Sequence, residues 1–256
     1  MKKIGILYIS TGRYTVFWKD FFSSAEQLFL AEDDYEKHYF VFTDAENIEN
    51  ESIERVHKIY QEPLSWPYIT LDRFTIFQKA RPAIDRMDYL YFFNGNMLFV
   101  DNVGKEILPT LSHPLVFAKH PGFYNKDRSQ FTYEIDLRSS AGVSDEEGQF
   151  YFMGGLNGGI ASAYLGMIEH LEAQVELDKK NGLIAVWHDE SHLNRYAIDH
   201  ADLIKVIDPI YGYPEGWSLP FAPKIIIRDK TKHGGHDFLR NEKVSFLKRI
   251  RKFLRW

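Results

Sequence analysis

Cysteine is absent from the 256 residues of this chain. Its absence excludes disulfide bonds and zinc sites built on thiolates. Long hydrophobic runs are absent as well, because no stretch reaches the roughly 20 apolar residues that span a bilayer. The apolar run at residues 4–9 is too short for a signal peptide and is soon interrupted by Gly12. We therefore interpret the start of the chain as a first buried strand.

The only net positive charge lies in the last fifteen residues, and the rest of the chain is acidic. The net charge is −5, and residues 242–256 contain six basic residues and one acidic residue, so the remaining 241 residues carry −10. An acidic body argues against a nucleic-acid-binding domain, and the basic C-terminal segment is predicted to have a separate role from that body.

Aromatic side chains are abundant, at 16% of the chain, within a hydrophobic content of 45%. This composition predicts a globular protein with one large or two small cores. The aromatic surplus fits two interpretations. Flat apolar rings pack on sugar and base rings, and they also build bulky cores.

The pattern of the chain predicts an α/β sheet with mostly parallel pairing. Buried strands are predicted at residues 3–10, 37–44, 54–61, 88–93, 114–120, 203–209 and 224–229. Helices are predicted at residues 15–33, 69–87 and 189–200, with Pro82 kinking or dividing the second. Residues 151–182 predict a glycine-rich turn, a short strand and a long helix. There are no repeats and no low-complexity segment.

One stretch, DYLYFFNGNMLFVDN at residues 88–102, allows two interpretations. Asn-Gly between two apolar runs is a strong hairpin signal, because both residues tolerate positive φ. Ligands of open α/β sheets, however, bind at the carboxyl ends of strands. Asn94 and Asn96 follow such a strand. We favour the second interpretation, in which both side chains face a ligand.

Four further stretches carry a resemblance: HPGFY (120–124), FTYE (131–134), GGLNGG (154–159) and NGLIAVWHDESHLNRY (181–196). Together they resemble the retaining α-1,3-galactosyl- and N-acetylgalactosaminyltransferases, the family of the blood group A and B enzymes. The resemblance runs from about Ile4 to about Asn241. It implies a GT-A fold, in which a Rossmann-like nucleotide-binding α/β sheet merges with a C-terminal acceptor-binding portion. The implied partners are a UDP-sugar donor and an oligosaccharide or glycolipid acceptor.

The Asn-Gly-Asn stretch departs from the animal members of this family. There an Asp-x-Asp motif holds a divalent metal against the donor pyrophosphate, and hard cations prefer anionic oxygen ligands. Asn94 and Asn96 supply neutral amides instead, as in the bacterial branch of the family. The resemblance therefore implies catalysis without a metal or other cofactor, and we assign no metal ligand.

By the resemblance, each site residue takes a role. Glu190 lies under the anomeric carbon, and Lys232 binds the phosphates, so these two are the catalytic candidates. The donor-binding candidates are Ile9, Ser10, Thr11, Tyr14, Arg73, Asn94, Asn96, Met153, Gly154, Gly155, Asp189 and Arg240. The acceptor-binding candidates are His120, Thr132, Trp187 and again Glu190. Gly234 and Gly235 suggest a mobile lid. Without the resemblance, residues 228–241 read as a solvated basic loop.

Two positions bear on the donor sugar. Gly155 aligns with a position that separates A-type from B-type enzymes and leaves room for a 2-acetamido group. Met153 is the B-type choice at its position. We expect UDP-N-acetylgalactosamine as donor and a galactose-containing, fucosylated, H-antigen-like acceptor. The alternatives are a UDP-galactose-dependent α-1,3-galactosyltransferase and a non-catalytic glycan- or nucleotide-binding homologue.

The end of the chain is predicted to be a unit of its own. We expect one GT-A domain at residues 1–241 and a basic amphipathic helix at 242–256 that ends in Trp256. That helix either binds an anionic membrane surface or docks on the acidic body. We expect a cytoplasmic protein that can attach to the cytoplasmic face of the membrane.

Overall fold

The computed structural model describes residues 1–32 and 34–241. The strands are β1 (Lys2–Ile9), β2 (Tyr35–Thr43), β3 (Val56–Tyr60), β4 (Tyr89–Phe93), β5 (Met97–Phe99), β6 (Leu115–Lys119), β7 (Phe152–Ile160), β8 (Ile204–Ile207), β9 (Tyr213–Pro214) and β10 (Ile225–Ile227). The α-helices are α1 (Trp18–Leu28), α2 (Tyr68–Leu71), α3 (Arg73–Gln78), α4 (Arg81–Ile84), α5 (Ala161–Lys180), α6 (Asp189–Asp199) and α7 (His236–Leu239). The predicted basic tail, 242–256, lies outside the described residues.

A seven-stranded sheet forms the centre, in the order β3-β2-β1-β4-β7-β6-β8. Its pairs are parallel except for those of β7, which runs antiparallel to both β4 and β6. This mixed α/β architecture with a mostly parallel central sheet confirms the predicted fold class and agrees with a GT-A fold. Because β7 is reversed, its first residues lie at the same edge as the carboxyl ends of β1 and β4.

The glycine-rich stretch was expected to be a turn followed by a short strand, and this prediction was wrong. It forms the nine-residue strand β7. A Cβ atom at Gly158 would lie 2.3 Å from the Tyr91 ring, and one at Gly159 would lie 2.5 Å from the Pro114 carbonyl oxygen. The glycines therefore serve the close approach of neighbouring strands rather than a turn.

Aromatic cores cover both faces of the sheet. Tyr91 and Phe93 of β4 pack with the α1 face, whereas Phe92 packs with α3 and α5 on the other face. The alternation follows from the two-residue period of a strand. The core interpretation of the aromatic surplus therefore accounts for most of the rings, including the fully buried Trp18 and Phe77.

Two predicted helices are shorter or more divided than expected. The helix at 69–87 consists of α2, α3 and α4, and Pro82 lies in the first turn of α4, where its missing N–H costs nothing. A further break occurs at Asp72, between α2 and α3. The helix at 15–33 is α1, which follows a 3-10 turn at Gly12–Phe17 and ends at Leu28.

The Asn-Gly-Asn stretch does not form a hairpin. It joins β4 of the central sheet to β5 of a second sheet, where β5 pairs with β10 and β10 pairs with β9. The turn is closed by a bond from the Met97 N–H to the Asn94 carbonyl oxygen, 2.9 Å. This small sheet brings the segment after residue 224 back to the carboxyl edge of the central sheet. Within the described residues, no helix is long and apolar enough to cross a membrane.

Candidate active site

A cavity of about 290 Å³ opens at the carboxyl edge of the central sheet. It lies where β1, β4 and the start of β7 meet, between the loop before α2 and the segment that follows β10. Eleven of the predicted site residues line it: Ile9, Thr11, Tyr14, Arg73, Asn94, Gly154, Gly155, Trp187, Asp189, Glu190 and Arg240. The fold therefore brings together most of the residues that the sequence suggested for the donor.

Glu190 lies in the first turn of α6, at the wall of this cavity. The backbone bends sharply before it, because His188 has a φ of 55°, a value that non-glycine residues rarely adopt. One carboxylate oxygen accepts from the Gly154 N–H at 2.7 Å, and the other accepts from the Tyr151 hydroxyl at 3.0 Å. Both oxygens are therefore held, and the carboxylate has a defined orientation.

Burial raises the pKa of Glu190 to about 7. The Gly154 N–H acts against this shift, the neighbouring Asp189 adds to it, and Tyr151 and Arg73 lower the pKa again. The carboxyl therefore titrates near neutral pH. A group of this kind can stabilise or attack a developing cation when ionised.

Arg73 belongs to the lining of the cavity and is only 3% exposed. One guanidinium nitrogen, Nη1, donates to the Gly154 carbonyl at 2.6 Å and pairs with Asp189 Oδ2 at 2.8 Å. Burial raises the pKa of Asp189, and the Arg73 charge opposes that shift. Within the described residues, Arg73 Nε and Nη2 have no hydrogen-bond partner. Buried donors without partners are unusual, and the guanidinium lies over the rings of Phe74 and Phe92.

One end of the cavity is cationic. Lys230, His236 and Arg240 line it, and Arg240 stacks its guanidinium 4.0 Å above the Trp66 ring. Lys230 lies 5.5 Å above the ring of Tyr14. Burial lowers the pKa of Lys230 to about 8, and the Arg240 charge lowers it as well.

Lys232, predicted to bind the phosphates, lies outside the cavity lining. Its side chain is 58% exposed and pairs with Glu215 Oε1 at 2.7 Å. Both lysines belong to one short 3-10 helix, Lys230–His233. With three residues per turn, positions two apart point in different directions. Sequence reasoning missed Lys230, although its place two residues from Lys232 made it an equal candidate.

The two asparagines differ in position. Asn94 lines the cavity, whereas Asn96 is buried behind it and donates through Nδ2 to the Arg228 carbonyl at 2.7 Å. Asn96 Oδ1 has no partner among the described residues. In residues 1–32 and 34–241, no group of three or more histidine, aspartate or glutamate side chains could hold a metal ion. Neutral amides at these positions fit a hard divalent cation poorly.

The remaining predicted residues lie next to the cavity rather than in its lining. Ser10 and Met153 are buried beside it. His120 packs edge-on against Tyr151, with ring centroids 5.8 Å apart, and burial lowers the His120 pKa to about 4. Thr132 lies near the Tyr151 hydroxyl and acts to lower the pKa of Tyr151. His120 and Thr132 therefore both lie next to Tyr151, whose hydroxyl donates to Glu190.

Gly155 contributes open space to the cavity. A Cβ atom there would lie 3.4 Å from Asn94 Cβ and 3.5 Å from Met97 Cε, which are ordinary contacts. At Gly154 the same atom would lie 3.2 Å from Glu190 Cβ, a tighter approach. A side chain at Gly155 would therefore fit the fold and reduce the space for a ligand.

The chain is similar to known glycosyltransferases along nearly its whole length. The model of glycosyltransferase family 6 matches residues 2–241. The O-antigen biosynthesis glycosyltransferase WbnI of Escherichia coli is 31% identical over 229 residues, which cover 90% of this chain and 95% of the relative. The histo-blood group ABO system transferase 1 of Rattus norvegicus is 35% identical over 84% of this chain and 62% of its own length.

A third relative, the globoside alpha-1,3-N-acetylgalactosaminyltransferase 1 of Mus musculus, is 33% identical over 87% of this chain and 64% of its own length. The chain therefore spans nearly all of the bacterial relative and less than two-thirds of these two animal relatives.

Proposed function

Because this chain belongs to glycosyltransferase family 6, we propose that it is a retaining α-1,3-N-acetylgalactosaminyltransferase. Its donor is UDP-N-acetylgalactosamine. Its acceptor is a glycan with a terminal galactose that carries fucose, as in the H antigen. The observation that carries the proposal is a single cavity whose lining contains both a clamped carboxylate, Glu190, and a pair of cations, Lys230 and Arg240.

The charged groups that line the cavity suit the two opposite charges that develop during the transfer of a sugar. As the bond from the anomeric carbon to the UDP oxygen breaks, negative charge grows on the β-phosphate and positive charge grows on the sugar. Lys230, His236 and Arg240 are placed to stabilise the phosphate, and the Glu190 carboxylate is placed to stabilise or attack the sugar. The new bond joins the anomeric carbon to the acceptor O3. The proton of the acceptor hydroxyl is transferred to the departing phosphate or to Glu190.

Asp189 and Arg73 suit the donor sugar. Asp189 offers a carboxylate to the sugar hydroxyls, and its ion pair with Arg73 fixes the position of that carboxylate. Trp187, 49% exposed at the cavity wall, offers a flat face to a sugar ring. The space at Gly155 supports N-acetylgalactosamine over galactose as the transferred sugar.

The proposal includes activity without a divalent metal. It rests on the neutral amides of Asn94 and Asn96 and on the cations that line the phosphate end. The second candidate function is a UDP-galactose-dependent α-1,3-galactosyltransferase, which Met153 favours by its family position. A non-catalytic homologue is disfavoured, because such a protein would have no reason to keep a clamped Glu190, Arg73 and Lys230 in the lining of one cavity.

Turnover of UDP-N-acetylgalactosamine and UDP-galactose on 2′-fucosyllactose and on lactose tests the proposal. We expect the first donor on the fucosylated acceptor to be preferred, with activity kept in EDTA. Preference for UDP-galactose would support the second candidate, and activity lost in EDTA and restored by manganese would contradict metal independence. Absence of transfer from either donor would support the non-catalytic homologue.

We also propose that the protein is cytoplasmic and attaches reversibly to anionic membrane surfaces through residues 242–256. Five basic side chains of this segment, each contributing about 1 kcal/mol near an anionic leaflet, suffice for reversible attachment. Salt-sensitive binding to anionic liposomes, lost on truncation after Asn241 while transfer to soluble acceptors is kept, is the expected result. If neither the full-length nor the truncated protein binds such liposomes at low salt, the proposal is contradicted.

A further inference from the structure

One short segment at the start of β7 holds both oxygens of the Glu190 carboxylate. The Gly154 N–H donates a hydrogen bond to one oxygen at 2.7 Å, and the Tyr151 hydroxyl donates to the other at 3.0 Å. The backbone bond is available to any residue at position 154. The bond from Tyr151 depends on its side chain, so this residue contributes something specific to the carboxylate.

Tyr151 also belongs to the wall that carries the predicted acceptor residues. It is 2% exposed and lies in a cluster of rings that includes Phe123, Phe131 and Tyr133. The His120 N–H donates to the Tyr151 carbonyl at 2.8 Å, and Thr132 faces its hydroxyl. The ring is therefore fixed by packing, and its hydroxyl stands between Thr132 and Glu190.

The hydroxyl keeps its proton and so remains a donor. Burial raises the pKa of Tyr151 above its usual value, and the nearby Glu190 carboxylate raises it further, against the opposing effect of Thr132. The charged groups that face Glu190 are Arg73 of α3 and Asp189 of its own helix. Between these opposite charges, a neutral donor of fixed direction favours the ionised carboxylate and sets its orientation.

We propose that Tyr151 is a positioning residue, which orients the Glu190 carboxylate toward the donor sugar and ties it to the wall formed by His120 and Thr132. The inference rests on the proposed function, since it assigns to Glu190 a role in the transfer. Tyr151 acts through Glu190.

Two conservative substitutions separate this role from simple packing. Tyr151→Phe removes the hydroxyl and keeps the ring. Tyr133→Phe is the matched control, because the Tyr133 hydroxyl donates to the Phe150 carbonyl at 2.6 Å in the same cluster of rings and is not among the donors to Glu190. Thermal unfolding of both variants shows whether the cluster is intact.

The decisive measurement is the pH profile of kcat for the full-length protein. With Tyr151→Phe, we expect kcat at neutral pH to fall about tenfold, as for loss of a hydrogen bond to a charged group. We also expect the acid limb of the profile to move upward by about one pH unit, because the ionised carboxylate loses a donor. The donor KM should stay within about twofold. Tyr133→Phe should leave the acid limb where it is.

Replacement of Tyr151 by 3-fluorotyrosine covers the case in which Tyr151→Phe fails to fold. Fluorine makes the phenol a stronger acid and a stronger donor while keeping the ring, so the acid limb should move downward. If neither Tyr151 variant moves the limb relative to Tyr133→Phe, the inference is overturned while the proposed function stands. If the unmodified protein transfers no sugar, the proposed function fails first, and the inference fails with it.

Discussion

Replacement of Lys230 by Met removes the half-buried ammonium group that lies above Tyr14 at the cationic end of the cavity and keeps an unbranched apolar stem. Within the proposed site, Lys230 contacts a phosphate of the donor. A hydrogen bond between charged groups contributes about 1.5–3 kcal/mol. We therefore expect UDP to bind about ten- to a hundredfold more weakly to Lys230→Met. Lys232→Met is the matched control, because it removes an exposed ion pair with Glu215 that contributes little to stability.

The pH dependence of UDP binding sharpens this prediction. Burial and the Arg240 charge lower the pKa of Lys230 to about 8, so about nine-tenths of the molecules carry the charge at pH 7. A bound phosphate favours the charged form and raises this pKa. Above pH 8 the free protein must take up a proton to bind, and the affinity falls by up to about tenfold per pH unit until the pKa of the complex is reached. Lys230→Met should lack this fall.

Isothermal titration calorimetry of UDP at pH 7 and pH 9 measures both effects without requiring turnover. The reasoning is refuted if Lys232→Met weakens UDP binding more than Lys230→Met does. It is also refuted if the two lysine variants and the unmodified protein all lose affinity equally between pH 7 and pH 9. The first of these results would support the assignment of Lys232 that was made from the sequence.

Three further substitutions follow from the site. Glu190→Gln should lower kcat by about a hundredfold or more, since one electrostatic partner of the transition state contributes that much, while calorimetry shows nearly unchanged UDP affinity; near-normal turnover would show that the role is misassigned. Gly155→Ser should lower the ratio of kcat/KM for UDP-N-acetylgalactosamine over UDP-galactose by about tenfold, because the new side chain fills space without disturbing the fold; an unchanged ratio in donor competition would refute the steric argument. Asn96→Asp should lower the free energy of unfolding in urea by about 3 kcal/mol, because a buried carboxylate would face the Arg228 carbonyl. The loss should be smaller at pH 4 than at pH 8, since burial raises the pKa of the new carboxyl. Equal stability of Asn96→Asp and Asn94→Asp would contradict this reasoning.

The sequence predicted elements where the hydrophobic period was long and unbroken. The strand that leads to Asn94 and the helix that begins at Asp189 lie within a residue or two of their expected bounds. It failed for β7, because glycine is usually a signal for a turn, and only the neighbouring Tyr91 and Pro114 show why side chains are excluded there. Local patterns carry no information about which distant strand will lie alongside.

The motif predicted which residues belong to the candidate site, but it did not predict how they contact one another. The motif identified Glu190, but the bond from Tyr151 depends on how β7 is placed beside α6. Lys230 and Lys232 cannot be separated by composition or spacing, because the direction of each side chain is set by a short 3-10 helix and by the packing of Lys230 above Tyr14. The burial of Asn96 likewise could not be predicted, because it depends on a contact with Arg228, which is distant in the sequence.

The structure of the reaction product tests the central claim most directly. Nuclear magnetic resonance of the trisaccharide or tetrasaccharide formed from UDP-N-acetylgalactosamine and lactose or 2′-fucosyllactose gives both the anomeric configuration and the linkage. The account predicts an α-anomer, as in the donor, joined to O3 of the galactose, formed by the unmodified protein in EDTA and about a hundredfold more slowly by Glu190→Gln. A β-anomer, or a linkage to another hydroxyl, would contradict it.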